Sequence, residues 1–405
     1  MPSPYRLILA RPGAWKFSGA GLIARFPIAT VGIGIVLLIS ATYDSYALAG
    51  RVSAVYVFSL AVCAPQLSRL VDRHGQARIM RPSFALTGTG LVVLIVAAST
   101  QAHPVVLYLA AALSGATTGS LGSLVRARWS AMLDDHQQLH TAYALESTID
   151  EVIFVSGPVI VTFLATSVAP WSGLALPLVA ILVGGYLLLA QRSTEPVPQS
   201  RENAGVPRGS VLRAGGVVVV AVVFMTLGGI FGATDVAVIA FSEEHGAKGM
   251  AGVLLAVLAL GSLIAGLGYG ARPWHSPLRR RFALGVLVLG AGVSLFLVVD
   301  SMVLLGVVMF ITGFAIAPTL INGHSLIQRF VPRQRLTEGL AWASTGINAG
   351  VALGSSLAGA EIDRADAGAG FVVVAAAAGA AVVVTFTCYR LLRTSALHQP
   401  LPSTS

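Results

Sequence analysis

Apolar stretches of about 20 residues recur along the whole chain, and at 1.5 Å of rise per residue that length crosses the roughly 30 Å of a bilayer's hydrocarbon. Twelve are read from the sequence, at about 15–41, 47–70, 82–99, 104–127, 141–167, 171–191, 214–241, 250–270, 282–299, 302–328, 336–360 and 369–391. A backbone in hydrocarbon must satisfy its own polar groups, which a helix does within itself. The predicted fold is therefore an all-α membrane protein with twelve transmembrane helices. Composition agrees: 55% of the 405 residues are hydrophobic and 11% charged, so the length does not divide into soluble domains. Arg6, Arg11 and Lys16 precede segment 1, but that segment is too long for a signal peptide and no small-residue cleavage site follows it.

A net charge of +9 invites a nucleic-acid reading, yet no soluble domain exists to carry a basic face. Threading the chain through a bilayer gives the charge another meaning. Of 26 basic residues, 22 fall on one side, including Arg69, Arg73, Arg78, Arg81, Arg126, Arg128, Arg192, Arg201, Arg208, Arg213, Arg272, Arg279, Arg280, Arg281, Arg329, Arg333, Arg335, Arg390 and Arg393. Lys248, Arg364 and Arg51 lie toward the other side, beside Asp44, Glu243, Glu244, Asp300, Glu361, Asp363 and Asp366, and Arg25 lies within the membrane. Basic loops mark the cytoplasmic side, so both termini are expected there. Cys63 and Cys388 sit in apolar segments and predict buried thiols with no disulfide.

The longest hydrophilic stretch, residues 191–213, is rich in Pro, Ser and charge and reads as a flexible linker between two six-helix units, 1–190 and 214–405. The units match under a shift of 197 positions, which carries Leu139 onto Leu336, Ala144 onto Ala341, Ser147 onto Ser344, Thr148 onto Thr345 and Gly157 onto Gly354. Two pseudo-symmetric bundles place a binding site between them.

Between segments 2 and 3, SRLVDRHGQARIMRP (68–82) carries Leu70, Asp72, Arg73 and Gly75 in the places of a loop signature of the major facilitator superfamily, and the chain resembles that family over its full length. Ser68 stands where the family has Gly, and Gln76 and Ala77 where it has basic residues. The shifted copy, GLGYGARPWHSPLRRR (266–281), keeps glycines and basic residues without the Asp. Gly157-Pro158 in segment 5 resembles the Gly-Pro of the family's antiporter motif, without its flanking glycines. The resemblance implies a bacterial inner-membrane transporter of the efflux or drug-antiporter kind, in which two bundles rock about a central cavity. Asp72, Arg73, Gly75, Gly157 and Pro158 would then belong to its conformational gates. On physical grounds alone Gly75 and Pro82 fix the approach of segments 2 and 3, and Asp72 can accept from a helix N-terminus or pair with Arg73.

ALESTIDEVIFVSGP (144–158) opens segment 5 and holds three carboxylates. With the helix starting near residue 141, Glu146 lies about 7 Å deep, Asp150 about 13 Å and Glu151 about 15 Å, with Glu151 turned about 100° away from Asp150. An unpaired carboxylate at that depth costs several kcal/mol or takes up a proton. Arg25, in AGLIARFPIAT (20–30), is the only basic residue in a helix middle and lies at matching depth. Two readings stay open. In one, Arg25 and Asp150 form a permanent pair locking segments 1 and 5, with Arg126 and Arg128 satisfying Glu146. In the other, Asp150 or Glu151 carries a proton. The cluster breaks the repeat, since Ala343, Ile347 and Asn348 stand opposite its three carboxylates.

In TGFAIAPTLINGHSLIQRF (312–330), Pro318 breaks segment 10, and Asn322 and His324 follow as polar groups able to cap, relay or bind substrate. In LTEGLAWASTGINAGVALG (336–354), Trp342, Asn348 and the small residues allow a close approach to segment 2 and offer an aromatic wall. Gly-rich VGIGIV, SGATTGSLG and TLGGIFGATD fit sliding helix contacts. Arg51 and Asp235, each about 6 to 9 Å below the far surface and in different bundles, can pair as an outer gate.

The sequence has no metal-spaced His or Cys cluster, no phosphate loop and no nucleophile with a paired base, so no enzyme, metal or ATP-driven pump is expected. What remains is ion-gradient transport without a cofactor, by a monomer in the lipid bilayer. A largely apolar cavity with a few acids suits proton-coupled export of hydrophobic or amphipathic compounds. The alternatives are a small polar metabolite, sugar or organic anion with Arg25 as anion ligand, and a non-transporting membrane sensor.

Overall fold

The structure, a computed structural model, describes residues 4–197, 215–270, 274, 276–331 and 336–393. The described residues are helical, with no strand among them. After a short helix, Pro4–Leu9, come α1 (Ala14–Tyr43), α2 (Tyr46–His74), α3 (Gln76–Ser99), α4 (Pro104–Met132), α5 (His136–Ser167) and α6 (Ser172–Ala190). The second half holds α7 (Gly215–Glu244), α8 (Ala251–Gly270), α9 (Leu278–Ser294), α10 (Met302–Phe330), α11 (Leu336–Arg364) and α12 (Ala367–Thr387). Among the described residues, 11 helical spans are long and apolar enough to cross a membrane. The twelfth predicted span is α11, 29 residues long but less apolar because Ser344, Thr345, Asn348, Ser355 and Ser356 interrupt it. It stays within the bundle by packing on α7, α2 and α12.

Three spans are interrupted, each for a local reason. In α1 one helix ends at Arg25 and the next begins at Pro27, which lacks the N–H that a continuous helix needs. In α4 the break falls at Gly119, whose φ of 71° suits glycine. In α10 the break is at Phe314–Ala315, ahead of the predicted Pro318. Proline deprives the carbonyl four residues earlier, here Phe314, of its donor, so the helix opens there and Pro318 sits in the first turn of the next piece.

The repeat appears in the packing. Gly157 of α5 lies against Thr30 of α1, and Gly354, 197 positions on, lies against Gly229 of α7. The halves meet through α2 on α11 and α5 on α8. Gly50 faces the backbone of Ser355 and Gly359 that of Tyr46, so the predicted approach of α11 to α2 is made. A tighter seam runs between α7 and α11, where Gly346, Gly350 and Gly354, four apart, face backbone oxygens of Ala221, Met225 and Gly229. Such close approach without side chains is how helices associate where no water drives them together.

The linker is not wholly irregular. Arg192–Thr194 form a 3-10 turn. Residues 198–213 of the predicted linker, with Arg201, Arg208 and Arg213, lie outside the described residues, as do Arg272, Arg333 and Arg335.

Candidate functional site

The acidic cluster of α5 meets α1 and α4. Arg25, Glu146 and Arg128 are fully buried, and Asp150 retains 26% side-chain exposure. Arg25 donates from Nε to the Gly21 carbonyl at 3.0 Å, from Nη1 to Asp150 Oδ1 at 2.8 Å and from Nη2 to Glu146 Oε2. Glu146 Oε1 accepts from the Ser18 hydroxyl and the Trp129 indole N–H, each at 2.7 Å. Arg126, with 35% side-chain exposure, donates to Asp150 Oδ2 at 3.0 Å. Two cations thus match two carboxylates. Glu151, half-buried and turned off that face, has no partner among the described residues.

Glu146 is the most buried of the three carboxylates although Asp150 and Glu151 lie further along the helix, because burial follows the face a residue presents. The geometry corrects one expectation: Arg126 and Arg128 do not satisfy Glu146. Arg126 turns to Asp150, while Arg128 donates to Gln76 Oε1, the Gln191 carbonyl and Thr194 Oγ1, each at 2.8 Å. Arg128 therefore ties the start of the linker to α3 and α4.

The remaining predicted positions fall apart from this cluster. Gly75, with φ 90° and ψ 154°, is the single residue between α2 and α3. Asp72 and Arg73 are exposed, and among the described residues neither has an ion pair. The acceptor at the start of α3 is Glu195, which takes the Ala77 N–H at 2.8 Å. Gly157 and Pro158 are buried, Gly157 against α1 and Pro158 against Gly252 of α8. Asn322 is buried in a second-half network: it bonds the Tyr269 hydroxyl at 2.9 Å and the Pro318 carbonyl at 2.7 Å, and Arg281 also donates to that hydroxyl. Tyr269 stands where the repeat shift puts Asp72. His324 packs edge-on to Phe224, with ring centroids 5.0 Å apart. Trp342 is exposed and Asn348 half-buried.

Arg51 and Asp235 are not brought together. Arg51 is exposed, Asp235 is half-buried, and neither has an ion pair among the described residues. The bonds joining the halves at the acidic end are others. Asp363 of α11 accepts from the Ser45 hydroxyl at 2.6 Å, the Tyr46 N–H at 2.7 Å and the Ala47 N–H at 2.9 Å, all at the start of α2. Tyr46 bonds Glu243, and Lys248 donates to Glu243 and to Ser40 of α1. A carboxylate at an uncommitted helix N-terminus is a favourable pairing of charge and dipole.

Sequence reading missed Ser18, Trp129 and Asp363. The first two carry a signal: Ser18 and Arg25 are two helical turns apart, and Arg126 and Trp129 are three residues apart, so each pair shares a face. Asp363 carries none, since its partner is backbone in the other half.

The described helices form a membrane fold in two halves that are bonded to each other at the acidic end, with a paired charge cluster inside the first half, and the class this defines is read from the family it matches. The Major Facilitator Superfamily family model matches residues 17–309 and 277–405, and the chain belongs to that family. A sequence search of curated proteins found no match. Among solved structures, the chain is similar to nucleoside transporter NupG (TM-score 0.72, 14% identity, 94% of this chain and 99% of that one). It is also similar to peptide transporter POT in complex with sulfate (TM-score 0.70, 13% identity, 95% and 96%). A third similar structure is a bacterial homologue of iron transporter ferroportin in an inward-facing state (TM-score 0.68, 17% identity, 94% and 99%). At these identities the likeness is one of fold.

Proposed function

We propose that the protein is a secondary active transporter that exports hydrophobic or amphipathic compounds in exchange for protons, as a monomer in a bacterial cytoplasmic membrane. The basic side and both termini face the cytoplasm, as the 22 basic residues on that side support. The units 1–190 and 214–405 rock as bodies about a cavity between them. The observation that carries the substrate reading is the state of Arg25. Its guanidinium is committed to Glu146, Asp150 and the Gly21 and Glu146 carbonyls, so it does not serve as a ligand for an anionic substrate. The structurally similar proteins are a nucleoside transporter, a peptide transporter and a homologue of an iron transporter, but an organic anion held by Arg25 would have to displace two carboxylates.

Glu151 is then the free acid of the cluster. A carboxylate without a partner in a half-buried position can take up and release a proton as water reaches it, whereas Asp150 is engaged by both Arg25 and Arg126. The test is purified protein in vesicles with an imposed pH gradient and a panel of lipophilic cations and organic anions. Gradient-driven movement of cations is the expected result. Movement of anions alone, or none that responds to the gradient, overturns the reading.

A further inference from the structure

At the basic end of the second half lies a cavity of about 240 Å³ lined by Pro277, Leu278, Arg279, Leu326, Arg329, Leu392 and Arg393. Three arginines converge on it from the start of α9, the end of α10 and the segment after α12, and no carboxylate lines it among the described residues. Leu278, Leu326 and Leu392 are buried and make its floor apolar. Arg279 is steadied by stacking on Tyr389, its guanidinium carbon 5.1 Å from the ring centroid. Arg329 and Arg393 are exposed at the rim, and among the described residues neither has a carboxylate partner.

The repeat supplies an internal comparison. The matching cavity of the first half is lined by Ala77, Arg78, Arg81, Arg192 and Glu195 among others, at the start of α3. There the chain provides its own anion, since Glu195 accepts the Ala77 N–H. A shift of 197 puts Leu392 at the place of Glu195, and the first turn of α9 has no side-chain cap. The second half has the arginines and the open helix start but, among the described residues, not the carboxylate. We propose that this cavity binds a phosphate group, that of an anionic phospholipid, whose acyl chains run along the leucine side. The lipid is the favoured source because the pocket joins charge to an apolar floor at the membrane end of three helices, as headgroup sites do. This assignment stands apart from the transport reading.

The test places the full chain in phosphatidylcholine nanodiscs with graded phosphatidylglycerol and counts lipid retained per protein by mass spectrometry after gentle extraction. The wild type is expected to retain phosphatidylglycerol over phosphatidylcholine. Removing arginines, as in Arg329→Ala with Arg393→Ala, is expected to weaken retention about fivefold for each one lost. Lysine at both positions is expected to keep most of it. Arg69→Ala with Arg73→Ala removes equal charge from the same side and is expected to leave lipid retention unchanged. Equal retention of the two lipids by the wild type overturns the proposal, as does equal loss in the Arg69 and Arg73 variant. If inorganic phosphate alone displaces the lipid at millimolar concentration, the site takes free phosphate and the lipid assignment is wrong. The lysine variant and the wild-type titration decide the matter even if the double alanine variant does not fold.

Discussion

At the scale of single residues, the three carboxylates of α5 have three different situations. Glu146 is saturated by Arg25, Ser18 and Trp129 in a fully buried place. Removing a partner from such a group costs more than the contact itself, because a desolvated charge is left behind. Arg25→Met is therefore expected to destabilise the protein by about 3 to 5 kcal/mol, and Arg25→Met with Glu146→Leu to recover part of that loss. Thermal unfolding of the purified variants measures both, and an equal loss in single and double variants refutes the structural role. Glu151→Gln is expected to abolish gradient-driven transport while substrate exchange without a gradient and melting temperature stay near the parent's. Full gradient-driven activity in Glu151→Gln removes Glu151 from coupling. The Arg25–Asp150 pair was legible because rise per residue places both at one depth. The partner of Glu146 was not, because depth says nothing about which way a side chain points around its helix. The fully used guanidinium of Arg25 was equally illegible, since it depends on Glu146 and the Gly21 carbonyl facing it together with Asp150.

At the scale of elements, length and apolarity located the spans, and Pro318 located the break of α10 to within a turn, while the breaks at Pro27 and Gly119 were not foreseen. The exception, α11, is instructive: Ser, Thr and Asn make it polar by composition, yet it packs closely on α7, α2 and α12. A buried helix need not be apolar all round when its small residues let backbones touch. The sequence has 44 glycines, too many to single out those at a seam. The structure separates them. A methyl group on Gly350 would meet the Met225 carbonyl oxygen and the Gly229 backbone, which cannot swing aside, whereas Gly379 of α12 has nothing near it. Gly350→Ala is expected to cost about 1 to 3 kcal/mol by forcing α7 and α11 apart. Gly379→Ala is expected to be neutral or to stabilise slightly, by up to about 1 kcal/mol, because alanine favours the helix. Melting curves of the two variants in one detergent compare them directly, and similar values would show that the seam has room.

At the scale of the whole molecule, the halves are joined at the acidic end, and under the proposed rocking of the two units what joins them must break when that side opens. A buried ion pair of Arg51 and Asp235 would have been a strong but narrow fastening; Arg51 is exposed instead, where such a pair is screened and worth little. Asp363 makes a different latch. It spans from α11 to the first turn of α2 and accepts there from the Ser45 hydroxyl and two backbone N–H groups. The contact is with the end of a helix dipole, which is worth a few tenths to about 1 kcal/mol at an exposed site. That is small beside the energy of the whole interface. It is large enough to tilt two states of similar energy, because both the carboxylate and its partners face water once the halves separate. Asp363→Asn keeps the size of the side chain and one acceptor but removes the charge. It is expected to shift the population toward the form open on the acidic side by about two- to fivefold. The measurement is the rate at which an impermeant thiol reagent modifies a cysteine at Ser355, a buried position against Gly50 in the α2–α11 contact, in a background of Cys63→Ser and Cys388→Ser. High salt screens a charge held to an exposed helix end, so it is expected to raise the rate in the parent and to narrow its difference from Asp363→Asn. Equal rates in parent and variant at low salt would show that the closed side is held by packing of α2 on α11 and α5 on α8 alone.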